Sequence, residues 1–301
     1  MSDPSSSSHA KGLALTAFGG MALTIDIPLI RLAEGDPWPI LMVRSALTVS
    51  VALAVWLIWR LVSRNVPPLI PGRVGLVVAS LYALAALCFI PAVYNTSTAN
   101  LVFILAFNSM FAALLSWLFL KERPRPVTLL AMGVMLVGVL IIVGGGIGAG
   151  NLFGDIMALG SAFLLATAIT ITRGSGRDMG FAALVAVALP CLVAVIMTAK
   201  TGYRIDAPWW IVLNGAVIMP ISFFCLSNGP KYISGPEVAM FYLLETVLAP
   251  VWVWLIFSEV PSRATLIGGT ILIVTLIAHS LWQLQAGRRR RRAQGVVRHP
   301  L

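Results

Sequence analysis

Ten sparsely charged apolar stretches, each about twenty residues long, take up most of this chain of 301 residues. A helix rises 1.5 Å per residue, so a stretch of this length crosses a hydrocarbon core of about 30 Å. The links between the stretches are short, which leaves no room for a soluble domain between them. The sequence therefore predicts an all-α integral membrane protein with ten transmembrane helices, at 12–33, 38–61, 73–93, 97–119, 126–144, 152–172, 180–199, 209–227, 236–257 and 263–284.

The composition favours a lipid environment. Hydrophobic residues make up 59% of the chain and charged residues only 11%, whereas soluble domains contain about 25% charged residues. The net charge of +10 would also suit a nucleic-acid partner, but its densest run, Arg288 to Arg292, directly follows the last apolar stretch. A basic cluster there is typical of a topology anchor or of a contact with anionic lipid headgroups. We expect membrane lipids, and no nucleic acid, among the partners.

Lysine and arginine are distributed unevenly over the two sides of the predicted bundle. With the N-terminus inside, the inner side carries Lys11, Arg60, Arg64, Arg73, Lys121, Arg123, Arg125, Arg173, Arg177 and Lys231, and the outer side carries Arg31, Lys200, Arg204 and Arg263. This asymmetry fits the positive-inside rule. It predicts cytoplasmic termini, with 1–11 as a disordered tail that lacks the features of a signal peptide and 285–301 as a basic tail.

An offset of 137 residues reveals an internal repeat between 117–129 and 254–266. The identical pairs are Trp117 and Trp254, Leu118 and Leu255, Glu122 and Glu259, Pro124 and Pro261, Thr128 and Thr265, and Leu129 and Leu266. Each half, 12–144 and 145–284, then holds five spans. Because five is odd, the halves are predicted to be inverted, with Glu122 at the inner face and Glu259 at the outer face. Inverted repeats are typical of secondary transporters, whose solute site lies near the midplane.

Polar residues deep in a span are costly and usually face a cavity or a partner. Glu245 lies about ten residues into the ninth span, and Asn108 lies about eleven residues into the fourth, so both are near the midplane. The repeat offset places Asn108 and Ser109 on Glu245 and Thr246. Either these side chains line a cavity, or each one hydrogen-bonds a neighbouring helix.

Aromatic residues accompany these polar positions. Tyr82 and Tyr242 are at mid-depth, and Phe107 and Phe111 flank Asn108. Aromatic walls with few polar groups suit an organic solute better than an ion. We therefore predict a substrate site formed by Tyr82, Asn108, Phe111, Tyr242 and Glu245.

Other ionisable residues have weaker claims to a transport role. Asp26 and Arg44 either line the cavity in a coupling or gating role or form an ion pair. Asp155 and Glu237, near the ends of their spans, are expected to reach lipid headgroups. His279, near the inner end of the tenth span, is expected to be structural or interfacial.

No metal site, cofactor or enzyme activity is predicted. Cys88, Cys191 and Cys225 lie singly inside apolar stretches, without the spacing of a zinc site or a disulfide framework. A serine protease would need a serine within reach of a histidine, and His279 has no serine motif near it.

Two segments carry a family resemblance. Trp117 to Pro124, followed by Gly133 and Gly138, resembles the end of one EamA domain, and Trp252 to Glu259, followed by Gly268 and Gly269, resembles the end of a second. Arg44 matches an arginine that this family commonly carries in its second helix. The second half departs from the first at Ser258, opposite Lys121, and at Thr275, opposite Gly138. The chain thus resembles the ten-helix branch of the drug/metabolite transporter (DMT) superfamily, and is most similar to amino-acid exporters of the YddG type.

This resemblance implies a multi-pass protein of the bacterial inner membrane. Because one chain holds both repeats, it needs no partner to form its site, and we expect it to function as a monomer. It implies export, by alternating access through a central cavity, of amino acids, aromatic ones among them, or of related small organic metabolites. A flippase or a transporter of lipid-linked or sugar-type metabolites is the alternative. The energy source stays open, since Glu245 or Asp26 could carry a proton and facilitated transport is equally compatible with the sequence.

Overall fold

A computed structural model describes residues 6–63, 66, 68–121, 126–149, 151–175, 180–228 and 235–296. Within these ranges, only the backbone is described at 6–10, 120, 146–149, 173, 180, 227–228, 235–240, 242–243, 283–284 and 286–296. The side chains of Glu237 and Tyr242 therefore lie outside the described residues, as does the whole of Glu122.

The described residues are helical apart from short links and one isolated antiparallel bridge between Gly35 and Ile205. In chain order the helices are α1 (Ser6–Leu23), α2 (Asp26–Leu32), α3 (Pro37–Val62), α4 (Gly72–Asn95), α5 (Thr98–Ala106), α6 (Asn108–Leu120), α7 (Pro126–Ala149), α8 (Leu152–Ser175), α9 (Gly180–Ala186), α10 (Ala188–Thr201), α11 (Pro208–Leu213), α12 (Met219–Asn228), α13 (Gly235–Phe257) and α14 (Arg263–Val296). A single π-helical turn, Asn214–Ile218, joins α11 to α12.

Nine helical segments in the described part are long and apolar enough to cross a membrane. They are Lys11–Leu32, Pro37–Val62, Gly72–Asn95, Thr98–Phe119, Pro126–Gly145, Leu152–Thr172, Phe181–Thr201, Pro208–Leu226 and Arg263–Trp282. A shorter apolar segment, Leu244–Phe257, occupies the position of the remaining predicted span. The predicted all-helical membrane class is confirmed, and the tenth crossing stays a prediction.

Large apolar side chains cover much of the outer surface of the bundle. Leu61, Leu118 and Leu130 are each at least 70% exposed, which suits contact with lipid tails and not with water. The main buried core instead gathers side chains such as Ile40 and Leu101 from α2 to α5. Apolar side chains thus face either the surrounding lipid or the buried core of the bundle.

The first helix begins inside the predicted N-terminal tail, 1–11, since α1 begins at Ser6. The assignment of a cytoplasmic tail stays a prediction. Adding turns to an existing helix costs far less than nucleating one. The apolar first span can therefore carry the helix back through Lys11 into the polar residues that precede it.

Four of the apolar spans are interrupted near mid-depth. The first is broken at Thr24 and Ile25, the fourth at Phe107, the seventh at Val187, and the eighth by the π-helical turn at 214–218. Interrupted membrane helices expose backbone groups where a cavity or a polar partner can use them. These breaks therefore mark the level of the membrane at which a site can be built.

Helices α7 and α14 pack antiparallel through small residues. A Cβ added to Gly268 would lie 2.5 Å from the carbonyl oxygen of Gly138, so the two backbones nearly touch there. Gly145 faces Ala264 at one end, and Thr128 reaches His279 at the other. Close packing through small residues is a common way to associate helices in lipid. The other extensive helix pairs are α4 with α8, α3 with α10, α6 with α8, and α1 with α12.

Candidate functional site

A buried ion pair lies between the first two spans. Nη2 of Arg44, on α3, lies 3.0 Å from both carboxylate oxygens of Asp26, the first residue of α2. Both residues are buried, at 7% and 3% exposure. Charged groups at this depth are stable only when they are paired and hydrogen-bonded. The expected pairing of Asp26 with Arg44 is therefore present, while a role in coupling or gating stays a prediction.

Asn214 completes the hydrogen bonding of this pair. Its Oδ1 accepts a 3.0 Å bond from Nε of Arg44, and its Nδ2 donates to Oδ1 of Asp26 at 2.7 Å and to the Asp26 carbonyl at 3.1 Å. Asn214 is fully buried. All three side chains therefore hold one another in place, and we call them the Asp26–Arg44–Asn214 triad.

The π-helical turn brings Asn214 to the triad. Such turns insert one extra residue into a helix and are frequent at functional sites. A Cβ at Gly215 would lie 2.7 Å from the carbonyl oxygen of Arg44, so only glycine permits this close approach. The Gly215 carbonyl in turn accepts a 3.0 Å hydrogen bond from Oγ1 of Thr48. The eighth span thus contacts the second span directly at Gly215, the residue that follows Asn214.

The remaining surface of the Arg44 guanidinium meets soft, apolar groups. Sδ of Met219 lies 3.1 Å from Nη2, and the guanidinium carbon lies 5.6 Å from the centre of the Phe89 ring. Arginine over an aromatic face gains a cation–π attraction that strengthens when water is excluded. The guanidinium is therefore surrounded by neighbours from three other spans, the first, the third and the eighth.

Glu245 approaches the triad from α13. Its carboxyl lies close enough to Asp26 and Arg44 for a direct Coulomb interaction, and it is partly exposed. It makes no hydrogen bond to any side chain that the structure describes. The structure thus brings Glu245 together with Asp26 and Arg44, and leaves its carboxyl available.

Asn108 and Phe111 lie at the break in the fourth span. Asn108 is the first residue of α6 and is partly exposed, and its amide makes no hydrogen bond within the described part of the chain. Phe111 packs edge-on against Phe107, with ring centres 5.0 Å apart, and against Phe163 of α8 at 5.4 Å. An accessible amide therefore stands beside an ordered aromatic wall.

Tyr82 lies apart from these residues. It packs against an apolar cluster of Val78, Ala168 and Ala182, which joins α4, α8 and α9. The structure shows no contact between Tyr82 and the triad within the described residues. Its assignment to the substrate site stays a prediction, as does that of Tyr242.

Asp155 corrects one expectation. It was expected to reach lipid headgroups, but it is completely buried, and its Oδ1 accepts hydrogen bonds from Thr96 and Asn100. The cause is the neighbouring Gly154, on which any Cβ would collide with the backbone of Asn95. Because α8 packs this closely against the end of α4, the Asp155 carboxyl is covered by protein and does not reach the headgroups.

His279 is placed as a structural residue. Its Nε2 lies 3.0 Å from the hydroxyl of Thr128, and its ring stacks on Trp282 at 5.9 Å. The contact with Thr128 joins α14 to α7. This agrees with the expectation of a structural or interfacial role.

A second polar network ties together the helix ends around Glu259, which we call the Glu259 end. Arg31 forms an ion pair with Glu259 and also donates to the carbonyls of Val93 and Thr96. Glu259 accepts a 3.0 Å hydrogen bond from the backbone N–H of Thr98. This end thus links the first span, the junction of α4 with α5, and the link that precedes α14.

A surface cleft of about 440 Å³ opens beside this network. It is lined by Arg31, Glu34, Gly35, Asp36, Val93, Tyr94, Arg204 and Asp206. The hydrogen bond and negative charge of Asp206 raise the pKa of Arg204 above its ordinary value. The cleft is lined by charges of both signs at the surface, whereas the triad is buried deep inside the bundle.

Sequence reasoning missed three members of the site: Asn214, Met219 and Phe89. Asn214 carried a usable signal, because it is an amide six residues into a span that begins at Pro208 and is followed by a glycine. Met219 and Phe89 carried none, since apolar residues at these depths are ordinary in any membrane helix. Only the tertiary arrangement shows that both of them face Arg44.

Comparisons with known proteins agree with this architecture. The model of the EamA-like transporter family matches residues 10–144 and again 152–281. The pseudopaline exporter CntI of Pseudomonas aeruginosa strain UCBPP-PA14 is 25% identical over 206 residues, which cover 66% of this chain and 71% of the relative. The same exporter from strain PAO1 is 24% identical over 202 residues, with the same coverage.

A solved structure, described as a crystal structure of a protein, has a TM-score of 0.64 and 14% sequence identity, and the match covers 91% of this chain and 98% of its own. At this identity the likeness shows the fold alone. The family match is different in kind, because its two parts together cover most of the chain. The chain therefore belongs to the EamA-like transporter family, within the DMT superfamily, and is a multi-pass membrane transporter and not an enzyme.

Proposed function

We propose that this transporter exports amino acids, or related small organic metabolites that carry an ammonium group, by alternating access across the bacterial inner membrane. The observation that carries the proposal is the carboxyl of Glu245, which has no partner among the described side chains, beside the buried Asp26–Arg44–Asn214 triad. Two relatives named as exporters of a small metabolite, pseudopaline, support export as the direction of transport.

The charge balance of the site favours a cationic group on the solute. Arg44 neutralises Asp26 at 3.0 Å, so the triad carries no unpaired charge. The Glu245 carboxyl is partly exposed and is not paired within the described side chains. A solute ammonium can therefore replace water at Glu245 and gain a charge-assisted hydrogen bond. Glu245 would serve as the recognition group and the triad as its rigid support.

The break in the fourth span offers the other half of a binding surface. The amide of Asn108 can donate to and accept from a solute carboxylate and amine. The edge-to-face wall of Phe107, Phe111 and Phe163 can receive an apolar or aromatic side chain. These groups suit an amphipathic organic solute, and aromatic amino acids are the first members of that class to test.

Inverted five-helix repeats, 12–144 and 145–284, supply the alternating access in this proposal. The 137-residue offset maps the packed pair α4 and α8 onto α12 and α1, which also pack together. It exchanges α7 with α14, which pack antiparallel. Lys121 and Ser258, one offset apart, both end their helices with positive φ, at 56° and 54°. These correspondences support a two-fold relation, ten crossings and exchange between two related conformations.

The positive-inside rule supports an orientation with both termini in the cytoplasm and the Glu259 end outside. In that orientation the Glu259 end is the closed outer face of the transporter. A single chain contains both repeats, so a monomer with lipids as its only neighbours is sufficient. The proposal needs no cofactor.

Counterflow in reconstituted vesicles tests this function. The wild type should exchange a labelled amino acid for an unlabelled one, and a panel of amino acids should raise the melting temperature of the purified protein. We expect Glu245→Gln and Asn108→Ala to reduce counterflow at least tenfold and to keep the wild-type melting temperature without solute. Ser109→Ala is the matched control, because Ser109 is exposed and its hydroxyl bonds the nearby carbonyl of Ala106, across the break at Phe107.

Other outcomes of the same experiments would redirect the assignment. Wild-type counterflow by both Glu245→Gln and Asn108→Ala would refute the site. Stabilisation by a polyprenyl lipid and not by amino acids would favour the flippase alternative. Equal rates with and without a pH gradient would exclude obligatory proton coupling at Glu245 or Asp26.

A further inference from the structure

A second carboxyl group is buried away from the proposed solute site. Asp155, in the first turn of α8, has no exposed surface. Its Oδ1 accepts hydrogen bonds from Oγ1 of Thr96 at 2.5 Å and Nδ2 of Asn100 at 3.4 Å. Its Oδ2 is buried and has no hydrogen-bond partner among the described residues. The oxygen of Asp155 that would carry half of a negative charge is thus left unsolvated.

The described residues around Asp155 include no cation that forms an ion pair with it. Four helices pack against α8, namely α4, α5, α6 and α7. The titratable side chains that these helices contribute within the described residues are Arg73, Tyr82, Cys88 and Tyr94, all on α4. Arg73 begins α4 at the opposite end of the bundle, and the Tyr94 hydroxyl donates to the carbonyl of Gly35. None of them bonds the carboxyl.

The Arg31–Glu259 ion pair is separated from Asp155 by one residue, Thr96. Arg31 donates to the carbonyl of Thr96, whose hydroxyl bonds Asp155, but its charge is already paired with Glu259. Glu259 itself accepts from the backbone of Thr98. Asp155 therefore borders the Arg31–Glu259 network through Thr96 and is not neutralised by it.

Elementary electrostatics then decides the charge state. Burying a carboxylate without a counter-ion costs several kcal/mol of desolvation free energy. The favourable interaction with a helix N-terminus is much smaller and does not offset this cost. The two hydrogen bonds to Oδ1 do not require a charge, because the carbonyl oxygen of a neutral acid also accepts them. A neutral carboxylic acid fits this environment, with its proton on Oδ2.

We propose that Asp155 is a proton-binding site and that the bound proton stabilises the closed packing of the Glu259 end. The site is built by Thr96 and Asn100, and Asn100 is held by a hydrogen bond from Thr265 of α14. The junction of α4 with α5, the start of α8 and the start of α14 therefore meet around the proton. The proposal rests on alternating access for the opening of this end, but it is independent of the transported solute.

The direction of the pH effect follows from linkage. When the end is closed, Asp155 binds a proton. When the end opens, water reaches the carboxyl and the proton dissociates at ordinary pH. The closed form therefore binds one proton more than the open form, and raising the pH shifts the equilibrium towards opening.

Infrared spectroscopy of the purified protein tests the proton directly, without transport. In a Glu245→Gln background, which removes the other carboxyl that could be neutral inside the bundle, we expect the C=O band of a neutral carboxylic acid at about pH 7; the band should be lost on adding Asp155→Asn and retained on adding Asp206→Asn. Asp206 is a suitable control because it is an exposed carboxylate at the same end, paired with Arg204 at 2.9 Å. Thr96→Val provides a second test, because loss of the hydroxyl donor should shift the band without removing it.

Cysteine labelling in detergent tests the coupling to opening. Ala99, on α5, is buried at 3% exposure, and Tyr203 is 58% exposed. In a background without native cysteines, the labelling rate of Ala99→Cys is divided by that of Tyr203→Cys to cancel the reactivity of the thiolate. We expect this ratio to rise by up to about tenfold per pH unit, the limit for one linked proton. Asp155→Asn keeps the hydrogen-bond acceptor and stays neutral, so its ratio should not change with pH.

The outcomes separate this proposal from the transport proposal. Loss of amino-acid counterflow with an intact Asp155 band and pH-dependent labelling would refute only the solute assignment. Absence of the band, or an Asp155→Asn variant that keeps the wild-type pH response, would overturn the proton site. A labelling ratio that responds to Na⁺ at constant pH, and not to pH, would also overturn it.

Discussion

Arg44 holds both carboxylate oxygens of Asp26 at 3.0 Å with a single terminal nitrogen, and this leaves its Nε for Asn214. The pair joins the second span to the break in the first, and Asn214 joins both to the π-helical turn in the eighth. Two interrupted or deformed spans and one continuous helix are thus fixed around one buried charge pair. The local stability of the proposed solute site depends on this arrangement.

The first prediction concerns the removal of one partner of this pair. Asp26→Ala should lower the free energy of unfolding by about 3–5 kcal/mol, because it leaves the buried Arg44 without a counter-ion. The double variant Asp26→Leu with Arg44→Met should recover much of this loss, since it removes both charges. Denaturant unfolding of the purified protein measures both. An equal loss in the single and double variants would contradict the electrostatic explanation.

A matched control uses the exposed pair at the Glu259 end. Arg204 and Asp206 lie 2.9 Å apart with largely exposed side chains. Water solvates each partner when the other is removed. Asp206→Ala should therefore leave the unfolding free energy close to the wild-type value.

The second prediction concerns Gly215, a residue of the π-helical turn. Gly215→Ala would place a methyl group 2.7 Å from the carbonyl oxygen of Arg44, and backbone cannot move aside as a flexible side chain can. We expect a loss of several kcal/mol in stability and loss of solute binding, measured by unfolding and by thermal stabilisation. Gly133→Ala is the control, because nothing lies within 4 Å of its added Cβ. A helical alanine there should be neutral or stabilising by up to about 1 kcal/mol.

The helices and their order could be predicted from the sequence, because lipid forces each crossing segment to satisfy its own backbone with apolar side chains outside. The pairing of Asp26 with Arg44 could also be predicted, since two opposite charges at similar depth in adjacent spans have few other partners. The break at Phe107 could not. No proline or glycine occurs there, so no local signal distinguishes it from the continuous helix on either side.

Burial depends on neighbours that the sequence does not reveal locally. Asp155 has the position of a residue that reaches headgroups, and it is buried only because Gly154 lets α8 meet the backbone at Asn95. Asn214 reaches Arg44 only because the helix gains a residue at this point. In both cases a contact between distant segments decides the role of a polar residue.

The third prediction concerns the aromatic wall beside Asn108. Phe111→Ala removes the ring that contacts both Phe107 and Phe163. Loss of one aromatic contact costs about 1 kcal/mol, so we expect the apparent affinity for aromatic amino acids to fall by about fivefold while that for small amino acids changes little. Competition in counterflow assays measures the ratio. Phe18→Ala, at a position that is 61% exposed, serves as the control, and a uniform loss for all solutes would argue against a selective wall.

The fourth prediction concerns the Arg31–Glu259 pair, which is about three-quarters buried. Arg31 also binds the carbonyls that end α4, and Glu259 binds the N–H that begins α5, so each partner holds the same junction from one side. Arg31→Gln and Glu259→Gln should each increase labelling of Ala99→Cys several-fold. Because both variants break one shared network, the double variant should label no faster than the more affected single variant. Rates that multiply in the double variant would show that the two residues act independently, and the ion pair would then have no role in holding this end closed.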